Sequence, residues 1–174
     1  KTVTAQQGSV GIASGQGDII VGNTATSDEG NVSLQSGNGD ILVGQDITAG
    51  QAVSITSQQG SVVIGDVTTD EGDILAKNGD VSIQTGQGTV AIVKTVTAQK
   101  GSIDVESGKG DILIGDNGAD VKTVSAEQNV KLATQDGTIV LSGKTETRKG
   151  DITVLARDED NNNNLIINGI NLKR

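Results

Sequence analysis

The sequence predicts an all-β fold: a right-handed parallel β-helix, a solenoid of about seven coils of about 22 residues with three short strands per coil. Three observations carry this. Two short units alternate along the chain, the spacing within each pair is constant, and the apolar residues are almost wholly Val, Ile, Leu and Ala.

The first unit, A, reads Gly8-Ser9-Val10-Gly11-Ile12 and then Gly30-Asn31-Val32-Ser33-Leu34. It returns at positions 51, 79, 101, 128 and 150, with Gln51 and Gln128 in place of the leading Gly. The second unit, B, reads Gly17-Asp18-Ile19-Ile20-Val21 and then Gly39-Asp40-Ile41-Leu42-Val43, and returns at 60, 88, 110 and 137. From A to B is nine residues in every complete pair. From B to the next A is 13, 12, 19, 13, 18 and 13. The third and fifth coils therefore hold inserts, expected near 72–78 and 116–121.

A third element lies between B and the next A: Thr2-Val3-Thr4-Ala5, Asp46-Ile47-Thr48-Ala49, Thr95-Val96-Thr97-Ala98 and Thr123-Val124-Ser125-Ala126. Short β-branched runs bounded by Gly read as strands, and frequent Gly excludes long helices. An antiparallel meander is disfavoured because the repeating unit is three strands rather than one hairpin, and because like side chains recur at like phase. Residues 1–156 form the coils. Residues 157–174 are expected to be an irregular loop followed by terminal strand sequence of the same solenoid, Leu165–Leu172.

The chain has no Phe, Trp, Tyr, Met, Pro, Cys or His and holds 25 Gly in 174 residues. Its core must be narrow and aliphatic. Net charge is −9, which argues against nucleic acid and against an anionic membrane surface. The charge is uneven: residues 1–76 hold nine acids and one base, and 77–174 hold thirteen acids and twelve bases. No apolar run is long enough for membrane insertion as a helix.

Alternation fixes the facing of each strand. In A the flanks are apolar (Val32/Leu34, Val53/Ile55, Val81/Ile83) and the centre is Gly11, Ser33, Ser54, Ser82, Asp104, Lys131 or Thr153. In B the centre is apolar too: Ile20, Leu42, Val63, Ala91, Leu113 and Val140. By parity these six point outward and form a stripe expected to contact a cover, a partner or a second rod.

The residue after each corner Gly is small and polar, as at Ser9, Asp18, Asn31, Asp40, Ser61, Asp80, Ser102 and Asp111. Such side chains cap backbone N–H groups at turns. Asp70-Glu71-Gly72-Asp73 and Asp158-Glu159-Asp160 read as solvated loops, with a weak calcium site as the alternative. Thr4, Thr26, Thr48, Thr97 and Thr147 recur at the third element without a doubled file, which disfavours an ice-binding face. With no His, Cys or Tyr and only Arg148, Arg157 and Arg174 as arginines, the expectation is no catalytic, cofactor or metal site. Open ends of a solenoid expose unpaired strand edges, so lateral or end-to-end self-association is expected.

The units GSVGIASGQ-GDIIVG and GNVSLQSGN-GDILVG resemble the repeats of filamentous-haemagglutinin-like exoproteins of Gram-negative bacteria, which leave the cell by two-partner secretion. The resemblance covers roughly 1–156, with a longer period than the family's coils. It implies a structural shaft of a secreted, cell-surface adhesin, a family role tied to virulence, biofilm formation and delivery of terminal domains. It also implies a protein or glycan receptor on another cell. The alternative is a binding module that recognises glycan or protein through the inserts or the apolar stripe.

Overall fold

A computed structural model describes residues 1–66, 68, 71–115, 122–157, 165–167 and 170–172. The chain winds as a right-handed parallel β-helix, each circuit laying one strand on each of three parallel sheets. The A strands are Val10–Ser14, Val32–Ser36, Val53–Ser57, Val81–Thr85, Ile103–Ser107, Val130–Thr134 and Ile152–Ala156. The B strands are Ile19–Val21, Ile41–Val43, Val62–Ile64, Val90–Ile92, Ile112–Ile114, Ile139–Leu141 and Leu165–Ile167. The third set, here C, comprises Val3–Ala5, Ala25–Ser27, Ile47–Ala49, Ile74–Ala76, Val96–Ala98, Lys122–Ala126, Lys144–Thr147 and Ile170–Leu172.

Register is maintained coil over coil. Val10 pairs with Val32, Val32 with Val53, Val53 with Val81, and the file runs on through Ile103 and Val130 to Ile152. Identical phase therefore places aliphatic on aliphatic. Leu34, Ile41, Ile47, Ile55, Ile64, Ile74, Ile83, Ile103, Ile112, Ile114, Leu132 and Ile139 are fully buried in one continuous column. Each such side chain contributes about 1.5–3 kcal/mol by leaving water.

The fifth residue of an A strand also faces inward, yet it is polar: Ser36, Ser57, Thr85, Ser107 and Thr134 are all buried. These hydroxyls plug the A–B corner. The Ser57 hydroxyl donates to the Gly39 carbonyl of the coil before (3.0 Å) and accepts from the Gly60 N–H (2.9 Å). Ser36 and Ser107 repeat the pattern.

The corner glycines answer to close approach rather than to turn geometry. A Cβ on Gly39 would lie 2.4 Å from the Gly17 carbonyl carbon, and one on Gly60 would lie 2.3 Å from the Gly39 oxygen. Gly88 and Gly110 meet the coil before them in the same way. Only a residue with no side chain lets successive corners stack.

The insert expected near 72–78 is displaced. Ile74–Ala76 is the C strand of its coil, in register with Ile47–Ala49 on one side and Val96–Ala98 on the other. The extra residues precede it, between Ile64 and Asp73. Gly65 (φ 93°) and Gly72 (φ 134°) form the neck of this excursion, and Asp66 bridges Glu71 in antiparallel fashion. Both glycines adopt left-handed backbone that side-chain-bearing residues resist. The Asp46 carboxylate closes the neck by accepting from the N–H groups of Gly72 (3.1 Å) and Asp73 (2.9 Å). The insert expected near 116–121 lies outside the described residues.

At the far end Leu165–Ile167 is a B strand on Ile139–Leu141, and Ile170–Leu172 is a C strand on Lys144–Thr147. Among the described residues no helix is long and apolar enough to cross a membrane.

Candidate functional site: an outward apolar file and a polar groove

The structure sets Ile20, Leu42, Val63, Ala91, Leu113 and Val140 one above another on the outer side of the B sheet. Ile166 continues the file past Val140. Ile20 is 72% exposed, Ile166 49% and Leu113 39%, while Leu42, Val63, Ala91 and Val140 are half-buried by their stacked neighbours. At about 4.8 Å per coil the seven residues span on the order of 29 Å. Ala91 makes the middle of the file shallow.

The A sheet presents the opposite chemistry. Ser33, Ser54, Ser82, Asp104 and Lys131 follow one another outward. Lys131 bonds Glu106 and lies 3.7 Å from Asp104. Burial pushes the Asp104 carboxyl above the usual carboxylate range, Glu106 beside it pushes the same way, and Lys131 offsets part of the rise. The hydrogen bond to Glu106 holds the Lys131 ammonium above its ordinary value. Asp104 Oδ1 is buried without a hydrogen-bond partner.

Next to this cluster a groove of about 490 Å³ follows the A–B corner, lined by Thr56, Gln58, Gln84, Gly86, Glu106, Gly108, Ala133 and Gln135 among others. Its origin is local. Gly86 and Gly108 lack side chains, so the corner dips between Gln58 on one side and Gln135 on the other. The lining offers amides, hydroxyls and a carboxylate, suited to hydrogen bonding. The unit pattern gave no sign of it. The signal was two corner glycines in adjacent coils flanked by glutamines.

The polar residues after the corner glycines cap backbone N–H groups, but in the coil that follows rather than in their own turn. Ser9 accepts from Asn31 N–H (3.0 Å) and Asn31 from Ala52 N–H (3.0 Å). Asp80 accepts from Ser102, Ser102 from Asn129, and Asn129 from Asp151. A second ladder runs from Asp18 to Asp40 (2.9 Å) to Ser61 (2.7 Å) to Thr89 (3.1 Å). Stacked carboxylates are thereby engaged with amides.

In the first acidic cluster Asp73 accepts from the N–H and hydroxyl of Thr95. Asp70 and residues 158–160 lie outside the described residues. Among the described residues no group of three His, Cys, Asp or Glu could hold a metal ion. On the C sheet Thr4, Thr26 and Thr48 stack outward, Leu75 interrupts, and Thr97 resumes. Thr147 is instead buried and donates to the Gln128 carbonyl.

No family model, no curated protein and no solved structure matches this chain.

Proposed function

We propose that the chain is a shaft segment of a secreted bacterial surface adhesin or filamentous exoprotein, holding other parts of a larger assembly away from a Gram-negative cell. The observation that carries this reading is the uninterrupted aliphatic column, in register from Val10 through Ile152. Such a column resists bending, and its length grows with coil number alone. The repeat units, which resemble those of filamentous-haemagglutinin-like exoproteins, add to it.

The test is a spacer experiment on cells that display a known binding tip. Inserting this chain beneath the tip moves the tip outward by the length of the rod and leaves tip affinity unchanged. Binding of the chain itself to a glycan array or to host cells, at a level matching the intact display, would overturn the shaft reading.

A second reading, a binding module, is favoured by the exposed apolar file. Leu42→Ser with Leu113→Ser separates the two. A shaft keeps its fold and its lack of receptor binding, whereas a binding module loses adhesion.

A further inference from the structure

The geometry points to the outer face of the A sheet in the first four coils, with the groove that opens from it at the A–B corner, as a binding surface for a neutral, linear polysaccharide. This goes beyond the shaft reading and does not depend on it, because a shaft can carry such a surface along its flank.

The observation that carries it is a gap in the charge. Charged residues make up 20% of the chain. Yet segments 10–17, 32–39, 53–60 and 81–88, each running from an A strand through the corner to the glycine before B, hold no Asp, Glu, Lys or Arg. Register stacks these segments into one face, with Gln35 on Thr56 and Thr56 on Gln84. The fold does not require the gap. In the next two coils the same outward positions hold Asp104, Glu106 and Lys131. The second corner position, Gln16, Asn38, Gln59 and Gln87 in the first four coils, becomes Lys109 and then Asp136.

A second observation is independent of the first. At the C–A corner the amides of Asn31, Asn78, Gln128 and Asn129 all bond to neighbouring coils. On the neutral face and in the groove, the exposed side-chain amides of Gln35, Gln58, Gln84 and Gln135 bond to none of the described residues. Hydrogen-bonding groups are thus concentrated here without a structural use.

The chemistry selects the ligand. An amide offers donors and an acceptor together, as a sugar hydroxyl does, so the two match in several orientations. Of the described residues that line the groove only Glu106 is charged, and Lys131 pairs with it, so nothing in the lining favours an anionic polymer. The chain also holds no aromatic side chain on which a nucleobase could stack. From Gln16 in the first coil to Gln135 in the sixth is on the order of 24 Å along the rod, room for a short run of linked sugar rings.

Affinity electrophoresis tests this, in native gels that contain a soluble linear β-glucan, an α-glucan, a galactomannan or, as the charged counterpart, alginate. The expected result is retardation, relative to a gel without polymer, by at least one neutral polymer and none by alginate. Retardation should be slight, since no ring is present to stack on sugar, and so stays below the level that would contradict a shaft. Ser54→Asp combined with Thr56→Glu gives the third coil the pair that the fifth already carries at Asp104 and Glu106. It should leave circular dichroism unchanged while binding weakens at least about tenfold. Gln84→Ala combined with Gln135→Ala introduces no charge and should weaken binding about three- to tenfold. Thr26→Ala, outward on the C sheet, should leave it unchanged. Migration unaffected by every neutral polymer overturns the proposal and leaves the shaft reading standing. Equal retardation by alginate, or binding by both double variants as tight as that of the unaltered chain, overturns it too. So does pairing of two copies, seen by sedimentation and abolished by Ser54→Asp with Thr56→Glu, which would assign the face to a protein partner.

Discussion

Two corners of the same coil behave differently. The A–B corner takes four residues in each of the first six coils, from Ser14 to Ile19 up to Thr134 to Ile139, and lengthens only after Ala156, where no hydroxyl stands at the inward fifth position; the B–C corner takes three residues between Val21 and Ala25 and nine between Ile64 and Ile74. At the A–B corner each component has a partner in the coil before: the Ser57 hydroxyl on Gly39, the backbone of Gly60 against that of Gly39, and the Ser61 N–H on Asp40. One added residue would shift all of these at once. At the B–C corner the main contacts are backbone bonds, such as Gly44 N–H to the Val21 carbonyl (2.8 Å) and Gln45 N–H to the Asn23 carbonyl (3.0 Å). An excursion can leave there and return through a narrow neck without disturbing the column. Constant spacing in this sequence thus marks an internal plug, and variable spacing marks its absence.

The sharpest way to break this contrast is insertion. Two glycines placed between Gly37 and Asn38 should cost more than about 3 kcal/mol in urea unfolding, since buried hydroxyl, amide and carbonyl groups lose partners together. The same insertion between Gly44 and Gln45 should cost under about 1 kcal/mol, the scale of lengthening a loop. Equal losses would show the two corners to be equivalent.

Gly39→Ala drives a methyl into the Gly17 backbone and should cost about 2–3 kcal/mol by the same measurement. Ser57→Ala removes the plug without adding volume, leaves Gly39 C=O and Gly60 N–H unsatisfied, and should cost about 1–2 kcal/mol. Hydrogen exchange should quicken at that corner and not at the B–C corner of the same coil.

The smallest expected effect lies away from both corners. The Asp104 carboxyl is held above its usual range, so the folded chain keeps this proton more tightly than the unfolded chain does. Its contribution to stability is present at low pH and is lost as pH rises from the ordinary carboxylate value through the folded one. Asp104→Asn should therefore raise the melting midpoint at neutral pH by no more than about 2 °C, because the side chain is 40% exposed and solvent screens most of the effect. That gain should shrink on acidification through the same window, as thermal melts at stepped pH would show.

Much of this architecture was legible in the sequence. The nine-residue interval and the alternation at Val32-Ser33-Leu34 were enough to place coils, strands and inward faces, because register is a matter of phase. The first insert was misplaced because Gly72-Asp73-Ile74-Leu75 copies the B unit while serving as a C strand, its closest counterpart being Asp46-Ile47-Thr48-Ala49. The capping role of Asp18 and Asn31 was legible as chemistry but not in direction. Local turn rules look two or three residues ahead, and the accepted N–H groups lie 22 and 21 residues on. The buried Ser36, Ser57 and Ser107 went unread, although a hydroxyl at inward parity just before the corner was the signal. The polar groove depends on which glycines become neighbours, and a single unit cannot show that.

The ladder bonds of all three sheets run along the axis of the rod, from one circuit to the next. Tension applied between its two ends therefore acts on these bonds in line, one layer at a time, rather than shearing many together. Each layer that yields releases about 22 residues, on the order of 70 Å of extended chain in exchange for about 5 Å of rod. A tether built this way is stiff under small loads and lengthens stepwise under large ones, so it stays attached where a cooperative domain would let go all at once.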